Sequence, residues 1–287
     1  DALGLPLLIT QVMVISSAGS NVRALRAAGP GIMEATLAHQ EEHGAAMRVL
    51  DLLGSLSGAL PPGYARPPFS GSAVPLPEGG GHPVMRQVME ICRLLGISAP
   101  TRVLVAVGVR GGVAYHASRR PGLVVDRALE RTNRHTDLRR LLARALAYHR
   151  TFGGPGGLWL AHQESASRLD QLLQAVSITV GVPLASPLSP ETKALSRAFS
   201  SALQPDQGQQ LAQRFNALQT GRRLDVAAWA AAMRATGDRC ALWVTGDLAG
   251  TLDDLRARQG SAPDVPLPTW CADEPQALDL VKFWLTA

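Results

Sequence analysis

The sequence predicts an α+β domain, mostly helical and built around one small three-stranded sheet. Hydrophobic residues make up 46% of the 287 positions and charged residues 18%, a composition for a packed core and against bulk disorder. Aromatics are only 5%, so the core must be made from Leu, Val and Ala. Three β-type runs lie together, Arg102 to Val107, Gly112 to Ala117 and Gly122 to Val125. Helical apolar spacing dominates the chain on both sides of them.

From the start of the chain, Gly31 to Gly44 and Ala45 to Leu56 carry apolar residues at helical spacing, split by Gly44. The pair reads as a helical hairpin of the kind that stacks in solenoids, without a second copy after it. Residues 1–60 therefore form a helical N-terminal segment, the possible end of a helical-repeat region. From Pro61 to Pro83 seven prolines and five glycines fill 23 positions, which predicts a linker or long surface loop. Residues 84–287 form the main domain. It opens with a helix over Val84 to Leu95, stopped by Gly96.

After the three strands, Asp137 to Arg150 is the cleanest amphipathic segment. Leu138, Leu141, Leu142, Ala145, Leu146 and His149 share one stripe, with Arg139, Arg140 and Ala143 away from it. Further helices are expected over Ser165 to Val180, Pro190 to Leu203, Pro205 to Leu218, Asp225 to Val244 and Leu248 to Arg258. A last helix, Pro275 to Leu285, follows a Pro-rich stretch from Ala262 to Thr269. Ser189 before Pro190 is a helix start with proline at the first position.

The net charge is +5, and only Lys193 and Lys282 are lysine. Eleven arginines face Asp126, Glu130 and Asp137 between Arg102 and Arg150. Such a surface attracts acidic partners or nucleic acid. No aromatic residues are interleaved for base stacking, however, so a solvated basic helix face is the better reading and nucleic acid an unfavoured partner. Cys92, Cys240 and Cys271 are odd in number and widely spaced. That excludes a zinc knuckle and predicts buried thiols in a reducing, cytoplasmic setting. The apolar opening Leu3 to Ile15 is too short to span a bilayer, so no membrane association is expected. The start at Asp1 reads as a processed chain or a piece of a longer one.

The order of helix, three strands, amphipathic helix and late Asp-Arg helix resembles the HtpX-type zinc metallopeptidases. In that family a segment N-A-F-A-x-G…V-x-V-x-x-G-L-L precedes the zinc helix. Here Gly112-Val113-Ala114-Tyr115-His116-Ala117 and Gly122-Leu123-Val124-Val125-Asp126-Arg127-Ala128-Leu129 stand in that place. The family's zinc helix, D-E-L-x-x-V-L-x-H-E-x-x-H, aligns with Thr136-Asp137-Leu138-Arg139-Arg140-Leu141-Leu142-Ala143-Arg144-Ala145-Leu146-Ala147-Tyr148. Its E-x-x-A-D-R aligns with Arg234-Ala235-Thr236-Gly237-Asp238-Arg239.

The likeness covers roughly Val84 to Arg258 and implies a degenerate site. In H-E-x-x-H two histidines at i and i+4 bind zinc and the glutamate activates water. In this register Arg144 and Tyr148 replace the ligands, Ala145 replaces the base, and Arg234 (or Ala235, one residue along) replaces the third ligand. Asp238 alone survives, as a supporting residue. Arginine offers no lone pair to a metal, so the resemblance implies a pseudoenzyme with no metal and no cofactor. The expected role is a scaffold or protein-interaction module in a larger bacterial protein. Its former cleft, lined by Arg144, Tyr148 and Arg234, would hold an acidic peptide or an internal carboxylate, with Asp238 a candidate partner for an arginine. Self-association through the Ala-rich helix Asp225 to Val244 is a further possibility.

Other residues carry weaker signals. His39 and His43 stand at i, i+4 with Glu41 and Glu42 between them, better read as a polar helix face than a metal grip. His116, His149 and His162, with Ser118 or Ser165, would serve a hydrolase with a relocated site, without a G-x-S-x-G elbow to support it. Cys240 reads as a structural thiol rather than a nucleophile. Gly79-Gly80-Gly81 and Gly153-Gly154-Pro155-Gly156-Gly157 lack a following Gly-Lys-Ser/Thr and are turns. Trp159, Trp229, Trp243, Trp270 and Trp284 are scattered and read as core.

Overall fold

A computed structural model describes residues 9–11, 36–39, 49, 69–79, 81–100, 102–116, 122–130, 135–148, 166–182, 189–220, 225–261 and 264–286. Within them lie strands β1 (Ser70–Pro75), β2 (Val103–Val107), β3 (Val113–His116) and β4 (Gly122–Asp126). The helices are α1 (Pro83–Leu95), α2 (Arg127–Glu130), α3 (His135–Tyr148), α4 (Ala166–Thr179) and α5 (Pro190–Ala202). They continue with α6 (Pro205–Thr220), α7 (Val226–Thr245), α8 (Leu248–Gln259), α9 (Leu267–Asp273) and α10 (Pro275–Thr286). The α+β class and the helical majority stand as the sequence predicts. The hairpin expected over 31–56 lies almost wholly outside the described residues.

The sheet has four strands, not three, in the order β1-β2-β4-β3. The extra strand, β1, sits inside the segment read as a linker, and it pairs antiparallel with β2. Proline hides it from a pattern search, yet proline is tolerated at the edge of a sheet. Pro75 closes the strand opposite Leu104, and the register slips between Ser70 and Val74, where Gly71 takes φ 76. At the centre β2 and β4 run parallel, and β3 adds antiparallel to β4.

Central strands covered on both faces lose the polar alternation of a half-exposed strand. Hence VLVA and GLVV are buried throughout. Val103, Val113, Tyr115, Leu123 and Val125 join the main core with the helices. Leu104, Ala106, Ala114 and Val124 form a second cluster with Val109, against which Phe69 and Ala73 pack.

On the main face lie α1 and α3, and α3 packs most extensively against α7. This two-sided cover corrects the one-stripe reading of α3. Ala143 is fully buried and Arg140 only 9% exposed, although both were placed on the outer face. Helix α7 contributes buried residues along its whole length, from Val226 through Trp229, Met233, Asp238 and Leu242 to Val244. Of its alanines Ala230, Ala232 and Ala241 are buried, whereas Ala227 and Ala228 near its start are exposed. Helix α9, absent from the expected helices, begins within the Pro-rich stretch from Ala262 to Thr269. Its prolines fall at the helix start, where the missing N–H costs nothing.

Helix ends follow ordinary capping chemistry. Ser189 Oγ accepts from Thr192 N at 3.0 Å ahead of α5, and Gly96 closes α1 at φ 65. Ile9, Leu37 and Val49 are fully buried in the same core as α3 and α7. His39 N also donates to Thr236 Oγ1 on α7 at 2.8 Å. A chain that begins at Phe69 loses these three aliphatic side chains from the core. At about 1.5–3 kcal/mol each, it is expected to unfold at markedly lower urea than the full chain, followed by circular dichroism. Equal midpoints would show the early residues to be energetically separate.

Candidate functional site

Along α3, positions 140, 144 and 148 recur every four residues and so share a helix face. Asp238 stands on α7, and α8 follows α7 after a left-handed turn at Gly246. Arg144 Nε donates to Asp238 Oδ1 at 2.8 Å, and its Nη2 donates to Asp254 Oδ2 on α8. Arg258, one turn after Asp254, donates from Nη2 to the same Asp238 oxygen at 2.6 Å. Its Nε lies 3.6 Å from Asp254 Oδ2. Two guanidinium groups and two carboxylates therefore alternate around one point. The Asp238 side chain is 2% exposed and that of Arg144 8%, whereas Asp254 and Arg258 reach solvent at 24% and 31%.

A second tier lies one turn earlier. Arg140 Nη2 donates to Asp247 Oδ2 at 2.8 Å and its Nη1 to Asp137 Oδ1 at 3.3 Å. Asp247 also caps α8, accepting from Gly250 N at 2.9 Å. A Cβ on Gly250 would overlap both the Asp247 carboxylate and the Arg140 guanidinium. Three ionic ties thus fix α8 to α3 and α7.

Electrostatics explains why this charge tolerates burial. Desolvation works against the Arg144 cation, but Asp238 and then Asp254 outweigh it and hold the guanidinium above its ordinary range. The Tyr148 phenol is raised chiefly by burial and next by Asp238, with Arg144, Arg258 and Arg234 opposing. Its ring lies against Gly237, where a Cβ would overlap the ring and hydroxyl. A glycine within a helix costs roughly 1 kcal/mol relative to alanine, and here it gives α7 and Tyr148 their close approach.

The structure thus brings Arg144, Tyr148 and Asp238 together, with half-buried Arg234 near enough to act on the phenol. Ala145 is buried in the core. The carboxylates that accept from Arg144 are internal ones, Asp238 and Asp254. Sequence reasoning missed Asp254, Arg258, Asp247 and the inward turn of Arg140. The i, i+4 spacing of Asp254 and Arg258 was visible, but such pairs usually stand in solvent, and nothing local marks this one as part of a buried cluster.

The arginine-rich stretch is corrected in part. Arg140 and Arg144 turn inward and so leave the basic face, whereas Arg139 pairs with Glu90 at the surface at 3.1 Å. His116 meets Phe69 edge-on at 5.4 Å. Its Nδ1 is buried without a hydrogen-bond partner among the described residues. Burial and then Arg102 lower its pKa. His39 enters through its backbone N–H; His43, His149, His162, Ser118, Ser165, Trp159 and residues 153–157 lie outside the described residues. Trp229 and Trp270 are buried, and Trp243 and Trp284 pack on the core. The three cysteines are buried free thiols. Among the described residues no three His, Cys, Asp or Glu side chains gather as a metal site. No helix there is long and apolar enough to cross a membrane. The chain matches no family model, no curated protein and no solved structure.

Breaking a buried charge pair from one side costs about 3–5 kcal/mol, and an exposed one under about 1 kcal/mol. Asp238→Asn is therefore expected to lower unfolding free energy several times more than Arg258→Ala in urea titrations. The reverse order would remove Asp238 as the centre of the cluster. Alkaline titration gives a second check. Burial raises the Cys92 thiol from 9.0 to about 12, and burial ahead of the opposing Arg256 raises Cys271 to about 12. Between those limits the unfolded chain binds fewer protons than the folded one, so stability is full below pH 9 and falls toward pH 12. Cys92→Ala should flatten that slope; an unchanged slope would assign it elsewhere.

Proposed function

We propose that this chain is a non-catalytic, metallopeptidase-like domain serving as a scaffold or protein-interaction module in a larger bacterial, cytoplasmic protein. The observation that carries this reading is the ionic cluster at the positions aligned with the zinc ligands. Arg144 and Tyr148 stand on one face of a helix beside a small sheet, opposite the surviving Asp238. A guanidinium has no lone pair for a metal. The nearby carboxylates already accept from arginine, so a divalent cation entering there would have to displace buried cations. Three arginines of the basic stretch, Arg139, Arg140 and Arg144, pair with carboxylates of the same chain, which supports a protein partner over nucleic acid.

The test is the purified protein's metal content by elemental analysis, with peptide hydrolysis measured with and without EDTA. The expected result is no stoichiometric zinc and no EDTA-sensitive hydrolysis. One zinc per chain, or hydrolysis abolished by EDTA, would overturn the proposal. Hydrolysis indifferent to EDTA and lost in His116→Ala would instead favour a relocated site around that imidazole.

A further inference from the structure

We propose that the Arg144–Arg258 cluster is a carboxylate-binding site occupied in cis by Asp254, and that its partner in trans is an acidic peptide. This deepens the interaction-module reading and rests on it for the identity of the partner, while the site itself stands on the geometry. Asp238 is buried at 2% and shared by Arg144 Nε and Arg258 Nη2, so it is a fixed part of the site's floor. Asp254 differs. It approaches from α8 and touches Arg144 Nη2 and, at 3.6 Å, Arg258 Nε, and 24% of its side chain is open to solvent. Remove its charge and two guanidinium groups face the single carboxylate of Asp238. One of them, Arg144, is nearly excluded from water.

An unbalanced buried cation is costly and is relieved by any carboxylate that reaches the same nitrogen atoms. The planar fork of Arg144, with Nε fixed on Asp238, leaves Nη2 as the receptor for that group. Asp254 borders solvent and so stands on the outer side of the site, with Arg144 behind it. An aspartate or glutamate side chain and a peptide's terminal carboxylate carry the same recognised chemistry. The cis aspartate competes with either and weakens apparent affinity by the fraction of time it leaves the site.

The experiment is chemical rescue of Asp254→Ala. Its melting temperature is measured in sodium acetate and in sodium chloride at equal ionic strength, beside the unmutated chain. The variant is expected to melt lower and to regain part of the loss in acetate but not in chloride. The unmutated chain should not distinguish the two salts, and Asp254→Asn, whose carboxamide fills the space, should be rescued less. If Asp254→Ala does not fold alone, its refolding yield in the two salts is the readout. Equal responses to acetate and chloride would overturn the site. Two blocked probes then identify the partner: an end-capped hexaglutamate, and a neutral peptide with a free C-terminus. One of them should bind Asp254→Ala at least about tenfold tighter than the unmutated chain; binding of neither overturns the acidic partner. Failure of rescue leaves the non-catalytic reading standing, whereas EDTA-sensitive hydrolysis would overturn that reading whatever acetate does.

Discussion

Arg144 cannot shed its proton to escape burial, and much of the architecture around it answers that constraint. A carboxylic acid or an amine carried into an apolar interior can neutralise itself; a guanidinium at accessible pH cannot. Its charge must be met by carboxylates held at hydrogen-bonding distance. Helix α7 brings Asp238, and α8, directly after it in the chain, brings Asp254. The cation is thus the point at which three helices acquire a fixed relation. Hydrophobic contact alone would let α8 slide along its apolar residues Leu248, Leu252 and Leu255. Paired charges admit one register.

Such a cluster is not a general source of stability. The desolvation of four ionic groups offsets most of their attraction, and an apolar replacement of similar shape often does as well. What the ions supply is direction. The second tier acts in the same sense, because Asp247 both caps α8 and accepts from Arg140. The glycines at 237 and 250 belong to the same arrangement. One admits the Tyr148 ring against α7, and the other leaves room for a guanidinium beside a helix cap.

Much of the secondary structure was legible because helix and strand periodicities are local. The helices over 84–95, 190–203 and 275–285 and the β-runs at 102–107 and 122–125 fall within a residue or two of their places. The misses have local causes as well. In β1 and α9 prolines stand where they are harmless, at a sheet edge and at a helix start, and composition cannot distinguish those positions from a loop. For α3, a single stripe was visible because periodicity assumes one buried face. A helix packed between a sheet and another helix buries nearly all of its circumference, and its arginines go inward when carboxylates from 94 and 110 residues away meet them.

By itself the sequence determined the class of the fold, the free buried cysteines, and the arginine, alanine and tyrosine at positions 144, 145 and 148 of one amphipathic helix. Those are matters of composition and short-range pattern, set by side-chain chemistry before any folding occurs. Only the tertiary structure decided that Arg144 is buried, that Asp254 and Arg258 complete its surroundings, and that Asp238 on α7 faces them. The reason is physical. A charge's environment depends on which distant groups arrive beside it, and no spacing along the chain encodes that distance.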